Sequence, residues 1–334
     1  MKVAILGRQN PMFFREKMKS AIEAAGYSAD IVDMESRNFL DFAGELKDYD
    51  AIITCGEKLP TQAVRELGNG RVRLISRWGV GTDEIDKEEA ARQGIAVCNA
   101  ANSLSTAVAE CALGMMINLL REFPARDASV RENDWCWFFE GLLSHQLEGK
   151  TVGLIGFGNI AKALSKMLMG FDCSVIACDE YYWDAAAAEK YHVRQAGREE
   201  IIRTADVVSL HLAATPDTFQ MVDKVFLAKM KNTAILINTA RGSLINEEDL
   251  IWALENGVIA AAGLDVFQKE PPDADNRLLK LQNVMLLPHS GAGTFECLEK
   301  SSAMASGNVI DFLQGRPIRT ILNPHYVEAL GARA

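Results

Sequence analysis

The stretch from residue 151 to residue 179 constrains the fold more than any other part of the chain. It opens with a short apolar run, Thr151 to Ile155, passes through a glycine-rich turn, and changes to helical spacing from Asn159. A second apolar run, Cys173 to Cys178, ends at the acidic residue Asp179. A strand, a glycine turn, a helix and a second strand of these lengths are typical of a dinucleotide site in a parallel sheet.

The residue types in this stretch fit the chemistry of a bound dinucleotide. Gly156 permits a tight turn, Gly158 lets the backbone approach a pyrophosphate, and Ala161 lets the helix pack closely on the strand. The N–H groups at the helix start favour phosphates. Asp179 is placed to accept hydrogen bonds from the adenosine ribose hydroxyls, and a 2′-phosphate there would meet its charge. Because no Arg or Lys follows before Lys190, the sequence favours NAD over NADP.

The rest of the 334-residue chain alternates short apolar runs with amphipathic segments. This alternation predicts an α/β fold with mostly parallel sheets, and the length predicts two domains. Ser103 to Arg121 is predicted to be a long helix with a wide apolar face. Residues 124–150 are predicted to be an excursion, and their aromatic segment, 135–139, is more typical of a packing or interface anchor than of a substrate wall.

Composition and charge exclude several classes of protein. The net charge is −10, and no Lys or Arg tract is dense enough to indicate nucleic acid or an anionic membrane. No apolar run has transmembrane length, and the first residues have too short an apolar core for a signal peptide. Seven scattered cysteines without a C-x-x-C pair indicate reduced thiols in the cytoplasm. No His or Cys spacing indicates a metal site.

Three polar residues follow predicted strands in the second half of the chain: Arg241, Glu270 and His289. Taken singly, each has an ordinary explanation as a surface cation, a solvated acid or a loop histidine. The ligand crevice of a doubly wound sheet lies beyond the carboxyl ends of its strands. Their joint placement beside a dinucleotide site therefore predicts one catalytic pocket.

Eight short motifs occur in order over nearly the whole chain. They are WGVGTDEID at 78–86, VAE at 108–110, GLIGFGNI at 153–160, LHL at 210–212, NTARG at 238–242, LDVF at 264–267, EP at 270–271 and PH at 288–289. On these motifs the chain resembles the D-isomer-specific 2-hydroxyacid dehydrogenases, which include phosphoglycerate dehydrogenases and glyoxylate or hydroxypyruvate reductases.

The resemblance implies two doubly wound parallel-sheet domains. A Rossmann NAD domain, residues 103–291, would be inserted into a discontinuous flavodoxin-like substrate domain made of residues 1–102 and 292–334. It also implies a homodimer whose contact runs through residues 103–150.

The resemblance also implies catalytic roles. His289 would be the general acid that protonates the keto oxygen and the base in the reverse direction. Glu270 would hold the imidazole in position, and Arg241 would clamp the substrate carboxylate and polarise the adjacent carbonyl. Substrate contacts are implied for Gly79, Val80 and Arg241, and Arg77 is a further candidate.

NAD contacts are predicted for a larger set of residues. They are Val80, Ser105, Gly156, Gly158, Asn159, Ile160, Asp179, His211, Leu212, Thr239, Ala240, Arg241 and Asp265. Ser105 stands where many members have a threonine, so a hydroxyl is kept.

The exact substrate is left open. Arg77 occupies the position of an arginine in the phosphoglycerate dehydrogenases of the family, which indicates an anionic substrate. A surface charge at the end of a strand is an equally good interpretation of Arg77. Cys55 and Gly56 supply no cation where a phosphate would need one, although Lys58 is near. The favoured function is an NAD-dependent oxidoreductase acting on small D-2-hydroxy acids and their 2-keto acids.

Two alternatives are an NAD-sensing protein or corepressor of the same fold, and a dehydrogenase of phosphite or formate. The intact trio of Arg241, Glu270 and His289 argues against a sensor, which does not need all three. Formate-type members have glutamine in place of the glutamate, so Glu270 argues against that branch.

Overall fold

The computed structural model describes residues 1–7, 11–33, 39–133, 135 and 144–331. It divides into two compact units. The first unit is Met1–Leu104 with Thr294–Ala334, and the second unit is Ser105–Gly293. The predicted domain boundaries, after residues 102 and 291, fall close to these points.

The elements alternate in the α/β manner along the chain. The strands are β1 (Lys2–Ile5), β2 (Ser28–Ile31), β3 (Ala51–Thr54), β4 (Leu74–Arg77), β5 (Ala96–Asn99), β6 (Thr151–Ile155), β7 (Ser174–Cys178), β8 (Val193–Gln195), β9 (Val207–Leu210), β10 (Ile235–Asn238), β11 (Ala261–Leu264) and β12 (Val284–Leu286). The α-helices are α1 (Met12–Ala24), α2 (Phe39–Leu46), α3 (Thr61–Gly68), α4 (Lys87–Arg92), α5 (Ser105–Arg121), α6 (Phe123–Arg131), α7 (Asn159–Leu168), α8 (Ala185–Lys190), α9 (Arg198–Thr204), α10 (Lys224–Lys229), α11 (Glu247–Glu255), α12 (Phe295–Leu313) and α13 (Tyr326–Gly331).

The described part of the first unit contains a five-stranded sheet in the order β2-β1-β3-β4-β5, with every pair parallel. The order reverses at β1, because the chain passes to β2 on one side and then to β3 on the other. Helix α12 returns to this unit and packs on α1 and β4. Its Ser301 accepts a hydrogen bond from the Trp78 indole at 3.0 Å, which ties the carboxyl-terminal segment to the loop after β4.

The described part of the second unit contains a seven-stranded sheet in the order β12-β11-β10-β9-β6-β7-β8, again all parallel. Its order reverses between β6 and β9, as in a Rossmann sheet. Strand β6 spans the predicted residues and is buried apart from its first residue. An added Cβ at Gly153 would lie 2.4 Å from Ile201 Cγ2, which shows how closely α9 covers this strand. The predicted fold class of two doubly wound parallel-sheet domains is confirmed.

Helix α5 agrees with its prediction in most respects. It begins at Ser105 instead of Ser103, and its buried residues include Ala109, Ala112 and Met116. Thr294 caps α12, and Asn246 caps α11 by accepting a hydrogen bond from the Asp249 N–H. The apolar spacing therefore predicted α5 with its start two residues too early and its end at the observed residue.

Residues 124–150, predicted to be an excursion, begin with a helix that the sequence analysis did not predict: α6 runs from Phe123 to Arg131. This helix buries none of its residues, so its sequence has no apolar periodicity. Trp135 is 76% exposed, and residues 136–139 lie outside the described residues. The role assigned to the aromatic segment stays a prediction.

Two further findings concern the chain as a whole. No described helix combines the length and the apolar character needed to cross a membrane. The six cysteines within the described ranges are free thiols, and burial raises the pKa of Cys98 to about 12 and that of Cys111 to about 11. These two thiols are therefore protonated at neutral pH.

Candidate active site

The glycine turn after β6 has the geometry that a dinucleotide site needs. Gly156 has φ of +96°, and an added Cβ would lie 2.6 Å from the His211 carbonyl oxygen. A side chain here would thus be strained and would also push away the end of β9. In contrast, no described atom lies within 4 Å of an added Cβ at Gly158. Open space at the start of α7 fits a phosphate, which the N–H groups of Asn159 and Ile160 could bind.

The Asp179 carboxylate connects the end of β7 to this turn. Its Oδ2 accepts a hydrogen bond from the Phe157 N–H at 2.8 Å, and its Oδ1 accepts from the N–H groups of Tyr181 and Tyr182 at 3.0 Å. Burial acts to raise the pKa of Asp179, but these backbone donors outweigh it and the pKa is lowered. A carboxylate has about four acceptor positions, so ribose hydroxyls could still bind it.

His211 lies beneath the glycine turn, next to the neighbouring strand β9. Its Nε2 lies 2.9 Å from the Ser209 hydroxyl, and burial lowers the pKa of its imidazole to about 4. Leu212 Cδ2 comes within 3.1 Å of an added Cβ at Gly156. His211 and Leu212 therefore adjoin the turn predicted to bind NAD, and the imidazole is neutral at pH 7.

A loss of stability on mild acidification is expected from His211. Its folded pKa of about 4 lies below the ordinary value of 6.5, so the unfolded chain takes up the proton first as the pH falls. The second unit should lose about 2 kcal/mol from this group between pH 7 and pH 5. Urea unfolding of wild type and His211→Gln at both pH values measures the difference. The exposed His325→Gln serves as a control, and equal pH slopes for wild type and His211→Gln would contradict the expectation.

The loop after β10 holds Arg241 through a buried asparagine. Asn238 Oδ1 accepts a hydrogen bond from the Ala240 N–H at 3.0 Å, and its Nδ2 donates to the Arg241 carbonyl at 2.8 Å. The Thr239 hydroxyl between them is buried, and the structure, over its described residues, offers it no hydrogen-bond partner. A buried unpaired hydroxyl costs about 1–3 kcal/mol, so a ligand that pairs with it gains affinity. This observation fits the predicted cofactor contact of Thr239.

The loops after β10 and β11 touch at a glycine. An added Cβ at Gly242 would lie 1.9 Å from the carbonyl oxygen of Phe267. Phe267 in turn donates its N–H to Glu270 Oε1 at 3.0 Å. The position of the Arg241 loop is thereby linked to the position of the Glu270 carboxylate.

Glu270 and His289 form the contact that the sequence predicted. His289 Nδ1 lies 2.7 Å from Glu270 Oε2, and the two side chains are 51% and 38% exposed. Because Glu270 engages Nδ1, Nε2 is the ring nitrogen left for another partner. Arg241, Glu270 and His289 follow β10, β11 and β12, three neighbouring parallel strands, so they share one edge of the sheet.

Asp265 fixes the loop that contains His289, a role that the sequence analysis missed. Its side chain is 2% exposed, and its two oxygens accept the N–H groups of Ser290 at 2.7 Å and Gly291 at 2.8 Å. Its carbonyl accepts the His289 N–H at 2.8 Å, which helps to hold that residue at a φ of +53°. Burial raises the pKa of Asp265, although the backbone donors oppose the shift. An acid placed directly after a buried strand was the only signal available in the sequence.

The first unit contains the other predicted substrate residues. Arg77 donates from Nε to the Gly81 carbonyl at 2.9 Å and from Nη1 to the carbonyls of Trp78 and Thr54 at 3.1 and 3.4 Å. It therefore braces the loop after β4, a role that neither of its two earlier interpretations included. Gly79 in this loop has φ of +141°. The Val80 carbonyl accepts a hydrogen bond from Asn99 Nδ2 at 2.8 Å.

Comparison with known proteins agrees with these features. Residues 113–291 match the family described as D-isomer specific 2-hydroxyacid dehydrogenase, NAD binding domain. A glyoxylate reductase of Pyrococcus furiosus is 35% identical over 292 residues, which is 85% of this chain and 85% of that protein. A D-3-phosphoglycerate dehydrogenase of Bacillus subtilis is 33% identical over 88% of this chain, but the match spans only 55% of that longer protein.

A solved structure supports the same family. The D-lactate dehydrogenase of Escherichia coli is 28% identical, with a TM-score of 0.81 over 96% of this chain and 100% of that one. The glycine turn, the Asp179 contacts and the Glu270–His289 pair all lie within residues 113–291, which match the family. The chain therefore belongs to the D-isomer-specific 2-hydroxyacid dehydrogenase family, and its second unit contains the NAD-binding domain of that family.

Proposed function

We propose that this NAD-dependent dehydrogenase interconverts a small 2-keto acid and its D-2-hydroxy acid, with His289 as the proton donor and acceptor. The observation that supports this most strongly is the 2.7 Å contact between His289 Nδ1 and Glu270 Oε2. It lies at the sheet edge that also holds the loop of Arg241. NAD supplies the hydride chemistry, and the residues of the chain supply binding, orientation and the proton.

Each catalytic residue has one task in this proposal. The Arg241 guanidinium pairs with the substrate carboxylate and draws electron density from the adjacent keto group. The Glu270 carboxylate holds His289 Nδ1, so that the proton on Nε2 faces the keto oxygen. In the oxidation direction, Nε2 accepts the proton of the substrate hydroxyl. The Phe267 N–H and the Asp265 carboxylate keep this pair in place.

We assign the cofactor contacts to the residues that the sequence predicted. The turn from Gly156 to Ile160 is assigned to the pyrophosphate, Asp179 to the adenosine ribose, and Thr239 to the nicotinamide side. The Asp179 carboxylate favours NAD over NADP, because a 2′-phosphate would meet its negative charge. The neighbouring Glu180 lies 3.5 Å from the Arg198 guanidinium and adds less to this preference. The unpaired Thr239 hydroxyl supports the third assignment.

The proposal extends to domains and assembly. Residues 1–102 with 292–334 are assigned to the substrate domain, which also supplies Arg77, Gly79 and Val80, and residues 103–291 to the NAD domain. The proposal also includes a homodimer whose contact runs through residues 103–150, and a location in the cytoplasm. The names of the relatives, all dehydrogenases or reductases, favour an enzyme over an NAD-sensing corepressor.

One assay separates the candidate functions. NADH oxidation is followed at 340 nm (about the absorbance maximum of NADH) with glyoxylate, hydroxypyruvate, pyruvate and phosphohydroxypyruvate, and NAD reduction is followed with phosphite and formate. We expect turnover with at least one unphosphorylated 2-keto acid and formation of the D-isomer. Tight NADH binding without turnover of any compound would instead support the sensor, and activity confined to phosphite or formate would contradict the proposal.

A further inference from the structure

Glu247, the first residue of α11, holds both ends of the loop that contains Glu270. Its Oε2 accepts a hydrogen bond from the Gln268 N–H at 3.3 Å, and its Oε1 accepts one from Asn276 Nδ2 at 2.6 Å. Glu270 lies between these two points in the sequence. One carboxylate therefore closes the segment 268–276, the Glu270 loop.

The Glu270 loop lies on the surface of the second unit. In it, Pro272 and Asn276 are partly buried, and the other residues are exposed. With so little burial, its path depends on hydrogen bonds more than on apolar packing. Lys269 and Asp273 form an ion pair within the loop, so this pair does not connect the loop to the rest of the unit. The two bonds of Glu247 connect it to α11.

The segment that leads into Glu247 contacts the same stretch of backbone. An added Cβ at Gly242 would lie 1.9 Å from the Phe267 carbonyl oxygen and 2.6 Å from the Gln268 nitrogen. The main chain at Gln268 therefore packs against Gly242 and also donates to Glu247. Because Arg241 precedes Gly242, one short segment connects the guanidinium to the carboxylate that holds the Glu270 loop.

Glu247 is also one of three acids in the first turn of α11, with Glu248 and Asp249. Acids at this point stabilise a helix through its dipole. The three differ in their contacts, because Glu248 is exposed and its Oε2 lies 3.2 Å from Arg277 Nη1, outside the Glu270 loop. Asp249 Oδ2 accepts the Lys224 N–H at 3.0 Å. Helix stabilisation is thus shared by the turn, whereas Glu247 has the two contacts with the loop.

We propose that Glu247 is a positioning residue for proton transfer, which holds Glu270 where its carboxylate faces His289 Nδ1. The proposal rests on the function proposed above and adds a residue that acts through Glu270. A neighbouring carboxylate favours the protonated imidazole and raises its pKa. Loss of Glu247 should release the loop and let Glu270 move away. His289 should then lose its proton at a lower pH.

Glu247→Ala tests the proposal through the pH profile of 2-keto acid reduction, which needs the protonated imidazole. The pH at which kcat falls to half its maximum should move down by at least about half a unit, which lowers kcat about threefold at higher pH. Glu248→Ala removes the same charge from the same helical turn and should move the profile by less than about 0.2 units. Asp265, the other carboxylate that acts on His289, is unchanged in both variants. Equal shifts in the two variants, or none in Glu247→Ala, would overturn the proposal.

Asn276→Asp tests the same contact from the loop. The variant keeps an oxygen for the Leu278 N–H, which Asn276 Oδ1 accepts at 2.9 Å, but it replaces the amide donor with a carboxylate that repels Glu247. The added negative charge would by itself raise the pKa of His289, whereas release of the loop lowers it. A downward shift of the profile is therefore expected, and an upward shift or none would contradict the proposal.

A direct titration of the imidazole separates this proposal from the proposed function. The pKa of His289 is measured by NMR from the histidine ring signals, with its own signal assigned by its loss in His289→Ala. We expect a pKa at least about half a unit lower in Glu247→Ala than in wild type, whether or not any 2-keto acid is turned over. An unchanged pKa would remove Glu247 from the mechanism and leave the proposed function standing. If Glu247→Ala does not fold, Glu247→Gln serves in both measurements, since it removes one of the two acceptor oxygens.

Discussion

Replacing His289 with alanine is expected to lower kcat for 2-keto acid reduction by at least about a hundredfold, because it removes the imidazole that we propose as the proton donor to the keto oxygen. NADH binding should be unchanged, since the glycine turn and Asp179 lie on other strands of the sheet. The 2.7 Å contact with Glu270 is the only hydrogen bond or ion pair that the side chain of His289 makes with the described residues. Its loss should therefore have little effect on folding.

Steady-state kinetics combined with NADH fluorescence titration measures both parts of this expectation. His325→Ala is a suitable control, because His325 is also exposed and also lies beside a glutamate, Glu88, at 3.4 Å. This control should retain wild-type kcat. A variant of His289 with full turnover would remove the imidazole from the mechanism, and a variant that no longer binds NADH would show that His289 serves the cofactor instead.

Replacing Gly242 with alanine is expected to damage both folding and catalysis. The added Cβ would lie 1.9 Å from the oxygen and 2.0 Å from the carbon of the Phe267 carbonyl, and these backbone atoms cannot rotate away. Relief of the clash must move one loop, which we expect to cost about 3 kcal/mol. Because the Phe267 N–H anchors Glu270, the same movement should lower kcat at least about tenfold in the protein that still folds.

Chemical denaturation and kinetics on the folded fraction measure these two effects. Gly197→Ala is a matched control in the same unit. Gly197 has ordinary φ and ψ of −74° and 152°, and no described atom lies within 4 Å of its added Cβ. This control should differ from wild type by less than about 1 kcal/mol. Similar behaviour of the two alanine variants would mean that the loops after β10 and β11 are not in firm contact.

The fold could be predicted from the sequence wherever burial imposed a strong pattern. Strand β6 was predicted to the residue, because a strand covered on both faces is a continuous apolar run bounded by polar residues and glycine. The helices α8, α9 and α10 have only six or seven residues, too few for an apolar period to appear. Helix α6 is longer but buries nothing, so it too left no pattern.

The candidate site also contains some features that the sequence predicts and others that it does not. Arg241, Glu270 and His289 could be predicted because each follows a recognisable strand and fits a family motif. The hydrogen bonds that hold these residues in position could not be predicted, because each joins a side chain to a main-chain group that is distant in the sequence. Asp265 reaches the N–H groups of residues 25 and 26 positions away. Such pairings depend on tertiary packing and leave no trace in residue spacing.

The use of main-chain donors has a consequence for how the enzyme can diverge. The Glu270–His289 pair and its loop are held by the N–H groups of Phe267, Ser290 and Gly291, and every residue type except proline has an N–H. The side chain of Ser290 can thus change without loss of the hydrogen bond that its N–H donates to Asp265. Substitutions at this position can accordingly accumulate while the main-chain contacts that hold the Glu270–His289 pair are kept.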